Sequence, residues 1–241
     1  MKATGSLSFS LEPPSQYSEP NMTGTAVGLT GGLALAARAG AWNFGLAGSM
    51  RYLGHYETTE DTTAVLVTPG IEARVRAGLD RLLGERTRIL FGVTGSSFST
   101  DEFGPTPYKP GTRLIGDLGI VHVAGSTTFS LTAWDYYRLP GSSGDSTLDN
   151  TKENILNVEL RARLRLGPRA SVAPLVAFRQ SNPAGYRGGR LYSGGAAFYF
   201  GLSEHVTAQV GGRFDSGWVA SSSGWANLTG YGASVLLRLQ R

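Results

Sequence analysis

Residues 156–166, LNVELRARLRL, alternate apolar and polar side chains with a period of two. Successive side chains of a β-strand point to opposite faces, so this stretch is predicted to be a strand with one apolar and one polar face. Arg161, Arg163 and Arg165 share the polar face because they are spaced by two. An arginine exposed to lipid is costly, so this face must lie away from lipid if the strand crosses a membrane.

The same alternation recurs along the rest of the chain. It predicts eleven further strands, at residues 6–11, 27–36, 42–52, 65–79, 88–94, 113–123, 129–134, 172–179, 192–202, 206–215 and 231–239. Several of them exceed the length of about 5–6 residues that is usual for strands in soluble proteins. The sequence therefore predicts an all-β chain of about twelve antiparallel strands.

The connections between these strands alternate in length. Five short turns are predicted at residues 39–40, 80–85, 124–125, 167–169 and 203–205. Six longer polar loops are predicted at residues 13–22, 54–62, 100–111, 140–151, 181–189 and 217–224. An even number of strands with short turns at one end and long loops at the other is typical of outer-membrane barrels. We therefore expect an antiparallel up-and-down transmembrane β-barrel, with its long loops outside and its short turns in the periplasm.

Composition favours a single barrel domain over residues 1–241, because no linker-like segment and no shift of composition divides the chain. A soluble β-sandwich or lipocalin-like barrel is the alternative, and it would bury the apolar face of its strands. Its solvated surface would usually be rich in Lys and Glu. This chain has 34 glycines and three lysines, and charged residues make up 17 % of it, which favours the membrane. Its mean hydropathy of −0.10 excludes a bundle of apolar membrane helices.

Several classes of function are excluded by the same composition. The chain has no cysteine, so it has no disulfide scaffold, no thiolate metal site and no cysteine nucleophile. The net charge is +4, but the basic residues are mostly single arginines, so we expect no nucleic-acid partner. The expected partners are the lipid and lipopolysaccharide of a bacterial outer membrane and other envelope proteins. Residues 1–5, MKATG, lack the apolar core of a secretory signal, so we expect a removed signal or a longer chain.

Two prolines lie within predicted strands, Pro69 in segment 65–79 and Pro174 in segment 172–179. A proline removes one hydrogen bond from the ladder. A closed barrel has no edge strand on which that loss could be hidden. We therefore expect a local bulge at each proline.

The polar faces of the predicted strands carry more arginines than acids. The arginines are Arg38, Arg51, Arg74, Arg76, Arg88, Arg113, Arg138, Arg161, Arg163, Arg165, Arg179, Arg213 and Arg238. The acids are Glu72, Asp117, Glu153, Glu159 and Asp215. A low-dielectric wall lined with one sign of charge concentrates ions of the opposite sign. Guanidinium groups match carboxylate, sulfate and phosphate, so a positive lumen that attracts such anions is expected.

Ten of these residues are predicted to line a passage. They are Glu72, Arg74, Arg76, Glu159, Arg161, Arg163, Arg165, Arg179, Arg213 and Asp215. This arrangement favours a porin-like channel for passive transport of small anionic or acidic-sugar solutes. The alternative is a structural or anchoring barrel whose lumen is filled by salt bridges. Barrels of eight strands are filled by side chains and barrels of sixteen hold an aqueous channel, so about twelve strands permit either.

In architecture the chain resembles the twelve-stranded outer-membrane channels for acidic oligosaccharides, which have a narrow pore lined by tracks of arginine. The resemblance implies one track at Arg161, Arg163 and Arg165 and another at Arg74 and Arg76. The chain is also similar in size and strand count to the translocator domain of autotransporters. That second resemblance implies a barrel that belongs to a longer chain or a larger envelope assembly.

Aromatic residues lie near the ends of the predicted strands. Trp42 and Phe200 adjoin short turns, and Tyr52, Tyr192 and Trp225 adjoin long loops. Aromatic rings at both membrane interfaces form the girdles of a spanning barrel. Ordinary strand preference for aromatics is the alternative, and their placement favours girdles.

Histidine offers little for catalysis, although a barrel-borne enzyme is a third hypothesis. A nucleophilic serine needs a histidine within hydrogen-bond reach. Only His205 has a serine two residues away, Ser203, and the two bracket a short turn. His55 lies near three loop acids, Glu57, Glu60 and Asp61. We interpret these as a solvated cluster, and we expect no catalytic, cofactor or metal site.

Overall fold

The computed structural model describes residues 2–16, 25–60, 63–103, 106–183, 188–221 and 224–239. This part of the chain holds one 3-10 turn, Asp149–Thr151, and no helix of sufficient length and apolarity to span a membrane. All its other regular elements are β-strands. They are β1 (Lys2–Gln16), β2 (Thr25–Ala39), β3 (Trp42–Leu53), β4 (Tyr56–Glu60), β5 (Thr63–Thr68), β6 (Glu72–Leu83), β7 (Thr87–Phe98), β8 (Asp101–Phe103), β9 (Thr106–Tyr108), β10 (Arg113–Ala124), β11 (Thr127–Arg138), β12 (Gly141–Ser143), β13 (Ser146–Leu148), β14 (Glu153–Arg165), β15 (Ala170–Pro183), β16 (Gly189–Gly201), β17 (Val206–Ser221) and β18 (Gly224–Leu239).

The long strands form one twelve-stranded sheet in the order β1-β2-β3-β6-β7-β10-β11-β14-β15-β16-β17-β18. Each long strand is therefore hydrogen-bonded to the next long strand along the chain. The pairs β1–β2, β2–β3, β15–β16, β16–β17 and β17–β18 are antiparallel. The prediction of an all-β, antiparallel fold is confirmed.

The chain has more strands than the sequence predicts, because three of the expected loops contain short strands. β4, β5, β8 and β9 form a four-stranded sheet, and β12 pairs with β13. β5 lies in the predicted segment 65–79 but belongs to the four-stranded sheet, so that segment is not one strand. Short polar strands such as Gly141–Ser143 show no apolar alternation, and they are held by backbone hydrogen bonds that leave no pattern in the sequence.

Pro69 ends β5, so the bulge expected there is wrong. Residues 69–71 lie outside any strand and separate β5 from β6. Side chains satisfy the backbone at this break: Asp101 Oδ1 accepts the Gly70 N–H at 2.6 Å, and Ser99 Oγ accepts the Ile71 N–H at 2.7 Å.

The bulge expected at Pro174 is also wrong. Pro174 lies opposite Ala196 in an unbroken register between β15 and β16. A single proline costs one ladder bond without requiring an extra residue in the strand. The register instead shifts between Glu12 and Ser15 of β1, where the chain has two consecutive prolines.

The short connections depend on glycine at two of the tightest turns. Gly40 and Gly125 follow β2 and β10 directly and have φ of 60° and 59°, values that side chains with a Cβ disfavour. Several strands are longer than the prediction, and β6 and β17 are examples. β6 runs to Leu83, so residues 80–83 are strand rather than turn. β17 runs to Ser221, so most of the expected loop 217–224 is also strand.

The fold divides into two compact units. Unit 1 comprises residues 1–79, 92–116 and 136–153, and unit 2 comprises residues 80–91, 117–135 and 154–241. Several long strands contribute to both units. A single barrel domain over residues 1–241 stays a prediction.

The distribution of apolar side chains is the reverse of that in a soluble protein. Within the described residues, the buried hydrophobic residues are Val67 and Ala173 alone. Large apolar side chains are exposed mostly on one face of the long strands, including Val75 in unit 1 and Leu160 and Val235 in unit 2, the last at 74 %. We call this the apolar face. The opposite face, which carries the arginines of the alternating pattern, is the charged face.

Candidate functional site

Three ion pairs on the charged face have the same construction, in which an arginine and an acid lie two residues apart on one strand. They are Arg74–Glu72 at 2.7 Å on β6, Arg161–Glu159 at 2.9 Å on β14 and Arg213–Asp215 at 2.7 Å on β17. Residues spaced by two lie on the same face of a strand, so each arginine carries its own counter-ion within reach. Six of the ten predicted site residues are brought together in this way.

Two more arginines of the charged face are paired with acids. Arg138 approaches Glu153 at 3.5 Å, and Arg88 donates to both carboxylate oxygens of Asp80. The sequence prediction missed Asp80 because it placed residues 80–85 in a turn. These five acids thus neutralise five arginines of the charged face.

In unit 1 the predicted residues Glu72, Arg74 and Arg76 lie together. With Arg113 and other residues they line a cavity of about 400 Å³. Arg74 also donates through Nε to Ser96 Oγ at 3.3 Å, and the Arg113 guanidinium lies 4.5 Å from the centre of the Phe98 ring. An acid therefore shares this cavity with the three arginines.

In unit 2, Arg161 and Arg213 line a cavity of about 290 Å³. Each is engaged by an acid, and Arg213 also donates to the buried hydroxyl of Ser193 at 2.8 Å. Protein groups therefore hold both guanidiniums of this cavity.

A second cavity of unit 2, of about 550 Å³, has a different electrostatic character. It lies beside the short turns of β10–β11 and β14–β15, and Arg163, Arg165 and Arg169 line it. Its lining residues include no Asp or Glu. Arg163 donates through Nε to Ser171 Oγ at 3.1 Å, and its guanidinium carbon lies 4.6 Å from the centre of the Tyr199 ring. We call this the basic cavity.

Arg179 and Arg169 show where prediction and structure differ. Arg179 lies exposed on β15, on the same face as Ser171, and lines none of the cavities described above. Arg169 lies in the turn before β15, where no alternation indicates a face, and sequence reasoning missed it. Its only sequence signal is its closeness to Arg163 and Arg165. That the ten predicted residues line a passage stays a prediction.

The aromatic residues expected at the membrane interfaces are mostly exposed. Tyr52, Phe200, Tyr192 and Trp225 are exposed, and Trp42 is half-buried and stacks on Phe44 with ring centres 6.2 Å apart. Exposure of large rings on the apolar face is what girdles require. The girdles themselves stay a prediction.

The histidines contact turn and strand groups. Ser203 Oγ accepts the backbone N–H of His205 at 3.2 Å, which agrees with the interpretation of this pair as part of a turn. The ring Nδ1 of His122 lies 2.8 Å from Thr87 Oγ1. Across the described ranges, no three His, Asp or Glu side chains are grouped to hold a metal. Of the His55 cluster, Asp61 and the side chains of Glu57 and Glu60 lie outside the described residues.

The chain is similar in structure to outer-membrane proteins. In-vitro folded OmpT, an outer membrane protein of Vibrio cholerae, aligns with a TM-score of 0.52 and 4 % identity over 99 % of this chain and 96 % of its own. A bacterial polysaccharide outer membrane secretin has a TM-score of 0.44 and 10 % identity, over 99 % of this chain and 91 % of its own. The translocator domain of the autotransporter NalP from Neisseria meningitidis has a TM-score of 0.34 and 11 % identity, over 99 % of this chain and 87 % of its own. No family model and no curated protein sequence matches the chain. The chain therefore shares its fold with bacterial outer-membrane β-barrel proteins, as the sequence predicts.

Proposed function

We propose that the chain is a β-barrel of the bacterial outer membrane that provides a passage with a preference for small anions, acidic sugars among them. The location is supported by the apolar face. Burial of apolar surface away from water is worth about 25 cal/mol per Å². A sheet that leaves side chains such as Val235 and Leu239 exposed at 74 % and 79 % gains this energy only from an apolar surrounding. Lipid supplies it.

Closure of the twelve-stranded sheet is part of the proposal. Backbone groups at an open sheet edge find no partner in hydrocarbon, so spanning sheets close. β1 and β18 are the two ends of the strand order. With an even number of strands in an up-and-down order, these two strands run antiparallel and can pair.

Anion preference is supported by the arginines that no acid neutralises. Arg163, Arg165 and Arg169 line a cavity that lacks carboxylates, whereas Arg161 and Arg213 are paired. A solvated wall with fixed cations of this kind raises the local concentration of anions. The preference therefore comes from the end of the strands near the short turns.

Reversal potentials in planar lipid bilayers under a KCl gradient test this function. We expect chloride to permeate faster than potassium, and we expect the preference to fall as salt rises from 0.1 M to 1 M, because the screening length shortens from about 10 Å to about 3 Å. Cation selectivity would refute the anion preference, and folded, inserted protein without conductance would refute the passage.

A filled barrel with an anchoring role is the second candidate, and the five ion pairs favour it. Arg74, Arg161 and Arg213 extend towards acids on their own strands. Networks of this kind can fill the interior of a small barrel. Conductance separates the two candidates, because a filled barrel inserts into the bilayer without carrying current.

A further inference from the structure

We infer that the basic cavity is a binding site for an organic phosphate, a tetrahedral dianion attached to a small polar group. The inference deepens the proposed function by naming a ligand class. It rests on that function in one respect, because the charged face must be open to solvent. Arg163, Arg165 and Arg169 supply the cationic groups. Ser126, Thr128 and Thr207 add hydroxyl groups to the same lining.

The guanidiniums of this cavity have capacity for a ligand. Within the described residues, Arg163 makes one side-chain hydrogen bond, from Nε to Ser171, which leaves its terminal nitrogens without a protein acceptor. Arg165 and Arg169 have no side-chain hydrogen bond or ion pair in that part of the chain. By contrast, Arg161 and Arg213 already donate to carboxylates.

The side chain of one arginine of the cavity is held in position, and the backbone of a second is held in a closed turn. Arg163 is fixed between the Ser171 hydroxyl and the Tyr199 ring. Arg169 is anchored through its backbone, because its carbonyl accepts the Gly201 N–H at 2.7 Å. The turn that carries it is closed by the Ala170 carbonyl, which accepts the Leu166 N–H at 2.9 Å. The donors of Arg163 are thus held in place before binding and lose less conformational entropy when the ligand arrives.

The charge and the arrangement of donors favour phosphate over carboxylate. A single guanidinium fork satisfies both oxygens of a carboxylate. Three guanidiniums from β14 and the following turn, with hydroxyls from β11 and β17, can reach several oxygens from different directions. A doubly charged, tetrahedral group makes use of this, whereas a carboxylate leaves cations unbalanced.

The size of the cavity favours a phosphate that carries a further group. Its volume of about 550 Å³ is within the range of small-molecule sites and far exceeds the share of roughly 30 Å³ that one water occupies in the liquid. Inorganic phosphate alone would leave most of it to solvent. A sugar ring bearing one phosphate can occupy the remainder and contact Tyr199.

Titration calorimetry on the purified, folded protein in detergent tests the inference, with glucose 6-phosphate, inorganic phosphate and glucuronate as probes. We expect glucose 6-phosphate to bind more tightly than inorganic phosphate, and glucuronate to bind weakest. Arg169→Gln should weaken glucose 6-phosphate binding about tenfold or more, since a hydrogen bond to a charged group is lost. Arg179→Gln is the matched control, because Arg179 lies on the same face outside the cavity, and it should leave binding unchanged.

Three results would overturn the inference: no binding of any probe, equal binding to the parent and the Arg169→Gln variant, or glucuronate binding as tightly as glucose 6-phosphate. Arg169 lies in an exposed turn, and thermal unfolding will verify that its variant folds. The result is independent of the passage. Binding of glucose 6-phosphate without conductance would support the site and refute the channel. Anion conductance without binding would support the channel and refute the site.

Discussion

The guanidinium of Arg163 lies over the ring of Tyr199, with its central carbon 4.6 Å from the ring centre. The two residues come from different strands, β14 and β16, so the contact links the arginine of one strand to the wall formed by another. A cation over an aromatic face is stabilised by about 0.5–2 kcal/mol. The ring therefore holds Arg163 at the edge of the basic cavity.

Replacing the ring should weaken anion binding. Tyr199→Leu removes the aromatic face, and we expect glucose 6-phosphate to bind roughly 2- to 30-fold more weakly, the range that corresponds to the cation–π energy. Tyr199→Phe keeps the face and should bind like the parent. Calorimetry on the three proteins measures this. Equal losses in both variants would assign the effect to the hydroxyl rather than to the ring.

A charge on the apolar face should destabilise the protein in a bilayer. Leu160 is 49 % exposed on that face, and Leu164, Val75 and Val235 share its environment. Leu160→Arg is expected to cost about 2–4 kcal/mol near the midplane. Leu175→Arg makes the same change on the charged face, beside the cavity of Arg161, and should cost much less. Denaturant unfolding in lipid vesicles compares the free energies of unfolding of the two variants. If Leu160→Arg is as stable as the parent, Leu160 does not contact lipid.

The ends of the strands should differ in accessibility from outside the cell. The chain has no cysteine, so single cysteines can be labelled cleanly. Asp145 is exposed in the turn between β12 and β13, and Glu204 is exposed in the short turn before β17, so each can be replaced by cysteine. A maleimide that cannot cross the outer membrane should label Asp145→Cys in intact cells and Glu204→Cys only after lysis. The opposite pattern would invert the topology.

Removing one partner of an ion pair should shift ion selectivity in a direction set by the residue removed. Glu159→Gln releases the charge of Arg161, so the reversal potential should move towards stronger anion preference. Arg165→Gln removes a cation that has no acid beside it, so the potential should move the opposite way. The stability cost of Glu159→Gln should be about 1 kcal/mol or less, as is usual for a pair that solvent reaches. If both variants have the reversal potential of the parent, these residues do not face the conducting path.

Closure of the sheet predicts a specific cross-link. Cysteines at Ser6, Ser8 or Ser10 of β1, each combined with Ser234→Cys of β18, should include one pair that oxidises to a disulfide. Neighbouring antiparallel strands bring side chains to within about 4.5–5.5 Å between Cβ atoms, close to disulfide geometry. Ser8→Cys with Ser130→Cys of β11 is the control and should remain reduced. Absence of a disulfide from every β1–β18 pair would indicate an open sheet.

Alternation was sufficient to place the two faces of the long strands, though not their ends, because every side chain of a regular strand has its face set by its own position. Leu160 and Arg161 lie on opposite faces for this reason alone. The contacts between different long loops depend instead on partners distant in sequence. Lys109 and Ser142 exchange two backbone hydrogen bonds of 2.8 and 2.9 Å across 33 residues (142 − 109), and no local pattern predicts such a pairing.

For the candidate site too, contacts within one strand were predictable and contacts between strands were not. Arg161 and Arg163 are equivalent in the sequence, both spaced by two on one face. The structure separates them: Arg161 is paired with Glu159, and Arg163 lies between Ser171 and Tyr199. The Glu159 partner could be predicted, since it is two residues away. The Tyr199 partner could not, because it depends on how β16 lies relative to β14.

The ion pairs between residues two apart also bear on the order of assembly. A contact across two residues closes almost no loop, so its entropic cost is small and it can form before any neighbouring strand arrives. β6, β14 and β17 can each balance one arginine with one acid while the chain is still unfolded and extended. The contact of Arg163 with Tyr199 must wait until β16 has paired. The ion pairs can therefore form within single strands, whereas the arginines of the basic cavity are brought beside Tyr199 and Thr207 only after β14 to β17 lie in one sheet.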